Sequence, residues 1–284
     1  GDRYSITTLN GQPIASPNPD NKLIPLDIFP ASAVRNITVS KVYEVTSYAD
    51  YSGAHIDIGT KDQNGENFFT AGFSVGGRFN TLGRSFYRMD HRSLFTRPGV
   101  DARAMSCSLS EYRDYVRTKN IFDTDFSVSR PSFGGNIAWG HNFKVGRQTL
   151  SILASGGIDN GAQRMDDAQT RILEGTGTVT DEYTYDSFAS ELKMAALANV
   201  GMTLRESDRV GYTFFYARNA VDTYMSREGF DAEGHNLVGS NDVLHIYKLM
   251  THQLNGQHDF GERWQLRWSG SYSSTSSDEP DRRQ

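Results

Sequence analysis

The 284-residue chain has little of several features that mark common protein classes. It contains one cysteine, Cys107, which excludes a disulfide framework and a cysteine-based metal cluster. No run approaches the roughly 18 apolar residues of a membrane-spanning helix. The net charge of −5 is small and argues against a nucleic-acid partner. Aromatic residues and glycine are plentiful instead, with 16 Phe, 14 Tyr and 27 Gly, a composition that favours an all-β chain with many turns.

The first sixty residues predict a small α+β unit. Asn10-Gly11 is a strong hairpin signal, because a type I′ turn needs a positive φ at both positions. Pro25 suits the first turn of a short helix. The predicted strands are 4–9, 12–16, 36–43 and 55–60.

The order LNGQPI, then PLDIFPASAVRNITVSK, then YSGAHIDIGTKD resembles the second half of the plug domain of TonB-dependent outer-membrane receptors. In that family a strand ends in Asn-Gly or Asp-Gly, and a proline-containing helical turn follows. A strand ending in Val-x-Lys and the pattern Gly-Gly-x-Ile-x-Ile-x-Thr-Lys come next. This chain departs from the pattern at Gly53-Ala54, where two glycines are usual, and at Val42, where a glycine is common.

The resemblance implies a mainly β protein, a partial transmembrane antiparallel β-barrel of about seven strands preceded by part of a small α+β plug. Residues 1–62 would be the C-terminal part of the plug, and residues 63–284 the first barrel strands with long extracellular loops. Plugged transporters of this class have about 22 strands, so we expect this chain to be a fragment.

The resemblance also implies a receptor in the outer membrane of a Gram-negative bacterium that imports a scarce nutrient. Siderophore-iron, haem, cobalamin and oligosaccharide all remain open as the ligand. The implied partners are outer-membrane lipid, this small-molecule or oligosaccharide ligand, and a TonB-type energy-coupling complex that acts through a segment absent from this sequence. No nucleic acid and no cofactor are expected.

The remaining chain alternates apolar and polar residues in a way that is independent of the resemblance. Period-2 alternation predicts strands with one apolar face. The seven predicted strands are 69–79, 133–144, 150–158, 192–204, 212–217, 244–260 and 264–273.

The connections between these strands are predicted to alternate in length. Short turns fall at 144–148, 206–209 and 261–263, and long polar stretches at 80–132, 159–183 and 227–242. Outer-membrane barrels have short periplasmic turns and long extracellular loops.

In the first long stretch, Ser108 and Glu111 form a capping-box pattern that predicts a helix over 109–118. Aromatic residues near strand ends suit interfacial girdles; they are Phe68, Tyr183, Tyr185, Phe188, Tyr224, Phe260 and Trp264.

The candidate ligand contacts follow from the resemblance alone. Carried over by position, they are Ser16, Asn18 and Asp20 after the LNGQPI strand, and Tyr48 and Tyr51 before Gly53. Their hydroxyl, amide, carboxylate and aromatic groups suit stacking on, or hydrogen bonding to, a chelate, a corrin or a glycan. The alternative, that these residues only shape a plug loop, is equally open.

No catalytic constellation stands out, and the chain is not expected to be an enzyme. His245, His252 and His258 share one predicted strand, but their spacing places neighbours roughly 20 Å apart, so they predict no metal site. Two rival hypotheses remain. One is a soluble, secreted all-β carbohydrate-binding module, which requires the apolar strand faces to be buried. The other is an outer-membrane barrel enzyme, which requires a nucleophile, a base and an orienting group close together.

Overall fold

The computed structural model describes residues 5–17, 24, 26–29, 33–42, 48, 52–62, 65–89, 94–95, 108–118, 124–205, 208–261 and 263–283. Its strands are β1 (Ile6–Leu9), β2 (Gln12–Pro13), β3 (Val34–Ser40), β4 (His55–Thr60), β5 (Phe68–Gly76), β6 (Ser85–Met89), β7 (Thr124–Val128), β8 (Ser132–Val145), β9 (Gln148–Leu173), β10 (Val179–Arg205), β11 (Asp208–Phe230), β12 (Asn236–Phe260) and β13 (Trp264–Arg283). A 3-10 helix spans Leu26–Ile28, and helix α1 spans Leu109–Thr118. The chain is therefore mainly β, as predicted.

The first four strands form a small mixed sheet, here called the N-terminal sheet, in the order β2-β1-β4-β3. β1 pairs parallel to β4, whereas β2 and β3 pair antiparallel to β1 and β4 respectively. The predicted Asn10-Gly11 turn is confirmed, because φ is 50° at Asn10 and 75° at Gly11. The carboxylate of Asp57 accepts the Gly11 N–H at 2.7 Å and ties this turn to β4.

A second, antiparallel sheet has seven strands and is here called the large sheet. Its strand order is β13-β12-β11-β10-β9-β8-β5. All seven predicted strands are found in it. The strands from β9 to β12 are unusually long, at 26, 27, 23 and 25 residues, compared with about 3–10 in most globular proteins. The sheet does not close on itself within the described residues, and β5 and β13 are its two edges.

The segment between β5 and β8 carries the β6–β7 hairpin and helix α1. The predicted helix over 109–118 is confirmed. Its capping box is formed in both directions: the Glu111 carboxylate accepts the Ser108 N–H at 2.8 Å, and the Ser108 hydroxyl accepts the Glu111 N–H at 3.4 Å.

Two of the predicted long loops are wrong. Residues 159–173 and 179–183 continue β9 and β10, and residues 227–230 and 236–242 continue β11 and β12. Both faces of these extensions carry polar residues, so hydropathy alternation does not mark them as strands. Pairing across the strands holds them together, as between Arg171 and Glu182 at 2.7 Å.

Candidate functional site

The two faces of the large sheet differ sharply in composition and exposure. The strand register puts Ala138, Ser155, Leu197, Phe215, Thr251 and Ser273 on one cross-strand row. The first five are less than a tenth exposed. The neighbouring row points to the opposite side and runs through Trp139, Ala154, Ala198, Phe214, His252 and Tyr272. We call the first side the docking face and the second the apolar face.

Large side chains on the apolar face remain accessible to solvent. The exposed fraction is 77% for Phe73, 50% for Leu254 and 64% for Tyr272. Further exposed residues on this face are Ile137, Trp139, Phe143, Leu266 and Trp268. A continuous apolar surface of this kind marks contact with another apolar phase or partner.

One end of the apolar face is covered by the β6–β7 hairpin. Phe86 of the hairpin packs edge-on against Phe188 at 5.5 Å between ring centroids, and Tyr87 does so at 5.3 Å. Arg164 donates to the backbone carbonyl of Ser85 at 2.8 Å. Phe188 is therefore buried under the hairpin, and its predicted place in an interfacial girdle is wrong.

The N-terminal sheet packs on the docking face through a single apolar cluster. Phe29, which follows the 3-10 helix, stacks on Phe215 with ring centroids 5.1 Å apart. Leu9 and Ile58 are fully buried in the same cluster. The large sheet contributes Leu153, Ala195, Leu197, Phe215, Ala217 and Leu249. These are the main apolar residues on a face that is otherwise polar or small.

A buried glutamine joins the two sheets beside this cluster. Gln253 donates through Nε2 to the Leu9 carbonyl at 2.7 Å, and its Oε1 accepts from Asn10 Nδ2 at 2.9 Å. Asn10 also accepts the Thr60 N–H at 2.8 Å, so the turn residue links three strands. Nearer the edge, Gln12 donates to the Ser269 hydroxyl at 2.5 Å. Amide and hydroxyl groups thus set the position of the N-terminal sheet on the docking face.

Only two of the five candidate ligand contacts lie within the described residues. Ser16 is partly buried. The Tyr48 hydroxyl donates to Gln12 Oε1 at 3.4 Å, which places Tyr48 beside the junction between the sheets. Asn18, Asp20 and Tyr51 lie outside the described residues. Ligand contact by all five stays a prediction.

The three histidines of β12 have separate partners. His245 contacts Glu279 at 3.1 Å, His252 contacts the Tyr212 hydroxyl at 2.7 Å, and His258 contacts Asp208 at 3.3 Å. His55, in the N-terminal sheet, contacts the Thr8 hydroxyl at 2.8 Å. Each contact accounts for its histidine as a structural residue.

A cluster of three potential metal ligands was not predicted from the sequence. Asp231, Glu233 and His235 lie in the β11–β12 turn with potential ligand atoms within 4.8 Å of one another. The Asp231 carboxylate accepts the N–H groups of His235 and Glu233 at 2.9 and 3.0 Å. The His235 N–H in particular lowers the pKa of Asp231. These bonds account for Asp231 as the residue that closes the turn.

No family model, curated protein or solved structure matches this chain. In the part of the chain that the structure describes, no helix is long and apolar enough to cross a membrane. The arrangement of the two faces is therefore the main structural guide to function.

Proposed function

We propose that this chain is part of a TonB-dependent outer-membrane receptor that takes up a scarce nutrient across the Gram-negative outer membrane. One observation carries the proposal: large apolar side chains are exposed on the half of the apolar face nearest the short connections, whereas the docking face is covered by the N-terminal sheet. Water favours the reverse arrangement, in which apolar side chains are buried. Lipid favours the arrangement found here.

The strand lengths agree with this proposal. A tilted strand crosses a bilayer in about 9–11 residues, and β10 has 27. The uncovered apolar stretch occupies the half of each long strand nearest the short connections, as in Trp139 and Phe143 of β8 or Leu254 of β12. The remaining half is more polar, and its apolar residues Phe188, Leu244 and Ile246 are buried. On this proposal it projects beyond the bilayer as long hairpins. On this proposal the short connections face the periplasm.

On this proposal the N-terminal sheet is part of the plug. Its junction with the docking face combines one apolar cluster with amide and hydroxyl contacts, which suits a body inside a polar lumen better than one inside a continuous core. Residues 1–62 then belong to the plug and residues 63–284 to the barrel wall. A TonB-type complex would supply the energy that rearranges this plug.

Cell fractionation of the full-length protein tests the proposal. We expect it in the outer-membrane fraction, where detergent is needed for its extraction, and we expect faster gel migration before boiling than after it. A protein that stays in solution without detergent would contradict the proposal and would support a secreted carbohydrate-binding module instead.

A further inference from the structure

A cleft of about 480 Å³ lies between the end of the 3-10 helix and the docking face, beside the β5 edge. Ile28 and Phe29 form its apolar wall. Its floor is crossed by Gly72, Gly134 and Gly157, on β5, β8 and β9. Because Gly72 and Gly134 have no side chain, polar side chains of the neighbouring strands can lie over the floor there.

Polar side chains from neighbouring strands lean over these glycines. A Cβ atom added at Gly134 would lie 2.7 Å from Ser74 Oγ and 2.8 Å from Asp159 Oδ2, which reach it from the two flanking strands. A Cβ atom added at Gly72 would lie 2.7 Å from Asn136 Oδ1. A hydroxyl, a carboxylate and an amide therefore converge on one patch of the floor.

These three polar groups have unused hydrogen-bonding capacity. Within the described chain, the side chains of Ser74, Asn136 and Asp159 form no hydrogen bond or ion pair with another residue. Small-molecule sites combine apolar walls with a few convergent polar groups of this kind, in clefts of about 300–1,000 Å³. The cleft has the size and the chemistry of such a site.

The charges around the cleft indicate which ligands fit. Lys193, the only cation among the described lining residues, pairs with Glu191 at 3.3 Å. Asp159 lies opposite Lys193 in the strand register and places a carboxylate over the floor. The charges of these two lining residues cancel, so the charge pattern favours a ligand without net charge.

We propose that the cleft binds a neutral polyhydroxylated ligand, that is, a mono- or disaccharide unit. Asp159 accepts hydrogen bonds from ligand hydroxyls, Asn136 both accepts and donates, and Ser74 completes the set. Ile28 and Phe29 cover the C–H side of the sugar ring. This inference deepens the proposed function, on which it rests, by naming the class of nutrient.

The test is saturation-transfer NMR on the full-length protein in a detergent without a sugar headgroup and in a buffer without polyols. The neutral probes are maltose and cellobiose; gluconate and glucosamine are the anionic and cationic comparisons. We expect a neutral sugar to bind and Asp159→Asn, which keeps the side-chain shape, to weaken its binding about tenfold. Gly134→Val, which fills the floor, should abolish binding.

Gly161→Ala is the matched control, because Gly161 is on β9 with no atom within 4 Å of an added Cβ. This variant should bind the neutral sugar as tightly as the wild type does. Absence of binding by both neutral sugars overturns the inference. So does preference for gluconate or glucosamine, or wild-type affinity in both Asp159→Asn and Gly134→Val. Outer-membrane protein that binds no sugar overturns this inference alone, whereas a soluble protein that binds sugar in the cleft overturns the proposed function alone.

Discussion

At the scale of single residues, Gln253 is the most informative side chain at the junction of the two sheets. It is 3% exposed, and both ends of its amide bond to consecutive residues of the N-terminal sheet, Leu9 and Asn10. A buried backbone carbonyl that loses its donor retains the full cost of desolvation. Gln253 therefore fixes the N-terminal sheet in position and also satisfies polar groups that docking buries.

Replacing Gln253 by leucine should weaken this docking. We expect Gln253→Leu to lower the free energy of unfolding by about 1–3 kcal/mol, since two hydrogen bonds are lost and the Leu9 carbonyl remains buried. Urea unfolding, with limited proteolysis of the N-terminal segment, measures the change. Gln257→Leu is the control: it lies on the same strand and face, and its side chain forms no hydrogen bond in the described chain. Equal losses in the two variants would show that Gln253 has no special role.

At the scale of secondary-structure elements, helix α1 shows how a local motif can act without tertiary support. The carboxylate of Glu111 accepts hydrogen bonds from the Ser108 hydroxyl and backbone N–H, and these bonds hold its pKa below the ordinary value of 4.5. The side chains of Ser108 and Glu111 are both exposed, so the effect arises within one helical turn.

The capping box therefore predicts a pH dependence for the start of helix α1. Because the pKa of Glu111 is lower in the folded chain, its stabilising contribution is present above pH 4.5 and is lost as the pH falls through the folded-state pKa. NMR titration of labelled glutamate side chains should show one carboxylate that titrates below the others. Ser108→Ala should return that pKa toward 4.5, and an unchanged low value in this variant would rule out the capping box as the cause.

At the scale of the whole molecule, the two faces of the large sheet have different surroundings. The docking face is covered by the N-terminal sheet, while the half of the apolar face nearest the short connections has no cover from the described chain. Lipid would provide that cover on the proposed function. Substitutions at two adjacent residues of one strand, one on each face, test whether lipid covers the apolar face or whether exposed positions on both faces tolerate a charge equally.

Leu254 and Asn255 form such a pair on β12. Both are exposed, but Leu254 is on the apolar face and Asn255 is on the docking face. We expect Leu254→Arg to destabilise the membrane-inserted protein by about 2–4 kcal/mol near the bilayer midplane, because an arginine there would face lipid. The folded fraction in outer membranes, read from heat-modifiable gel migration, measures the loss.

Asn255→Arg is the matched control and should keep nearly the wild-type folded fraction, since its side chain points into the polar interior. Similar behaviour of the two variants would contradict a lipid environment on the apolar face, because both positions are accessible in the isolated chain.

The sequence by itself determined the features that depend on neighbouring residues. These are the positive φ angles of Asn10-Gly11, the ends of helix α1 with its capping box, and the number of strands in the large sheet. Local backbone preferences and a two-residue period carry this information, so it can be read without knowing what packs against what. The alternation also separated Phe73 from Ser74, and Leu254 from Asn255, onto opposite faces.

Only the tertiary structure decided the features that depend on register and packing. The polar extensions of β9 to β12 form strands because each pairs along its whole length with a neighbour, which hydropathy does not reveal. Gln253 meets Asn10 across 243 residues of chain. Ser74 and Asp159 meet over Gly134 only through the pairing of β5, β8 and β9. Contacts between distant residues are set by how the sheets align and dock, and a local sequence pattern does not contain that alignment.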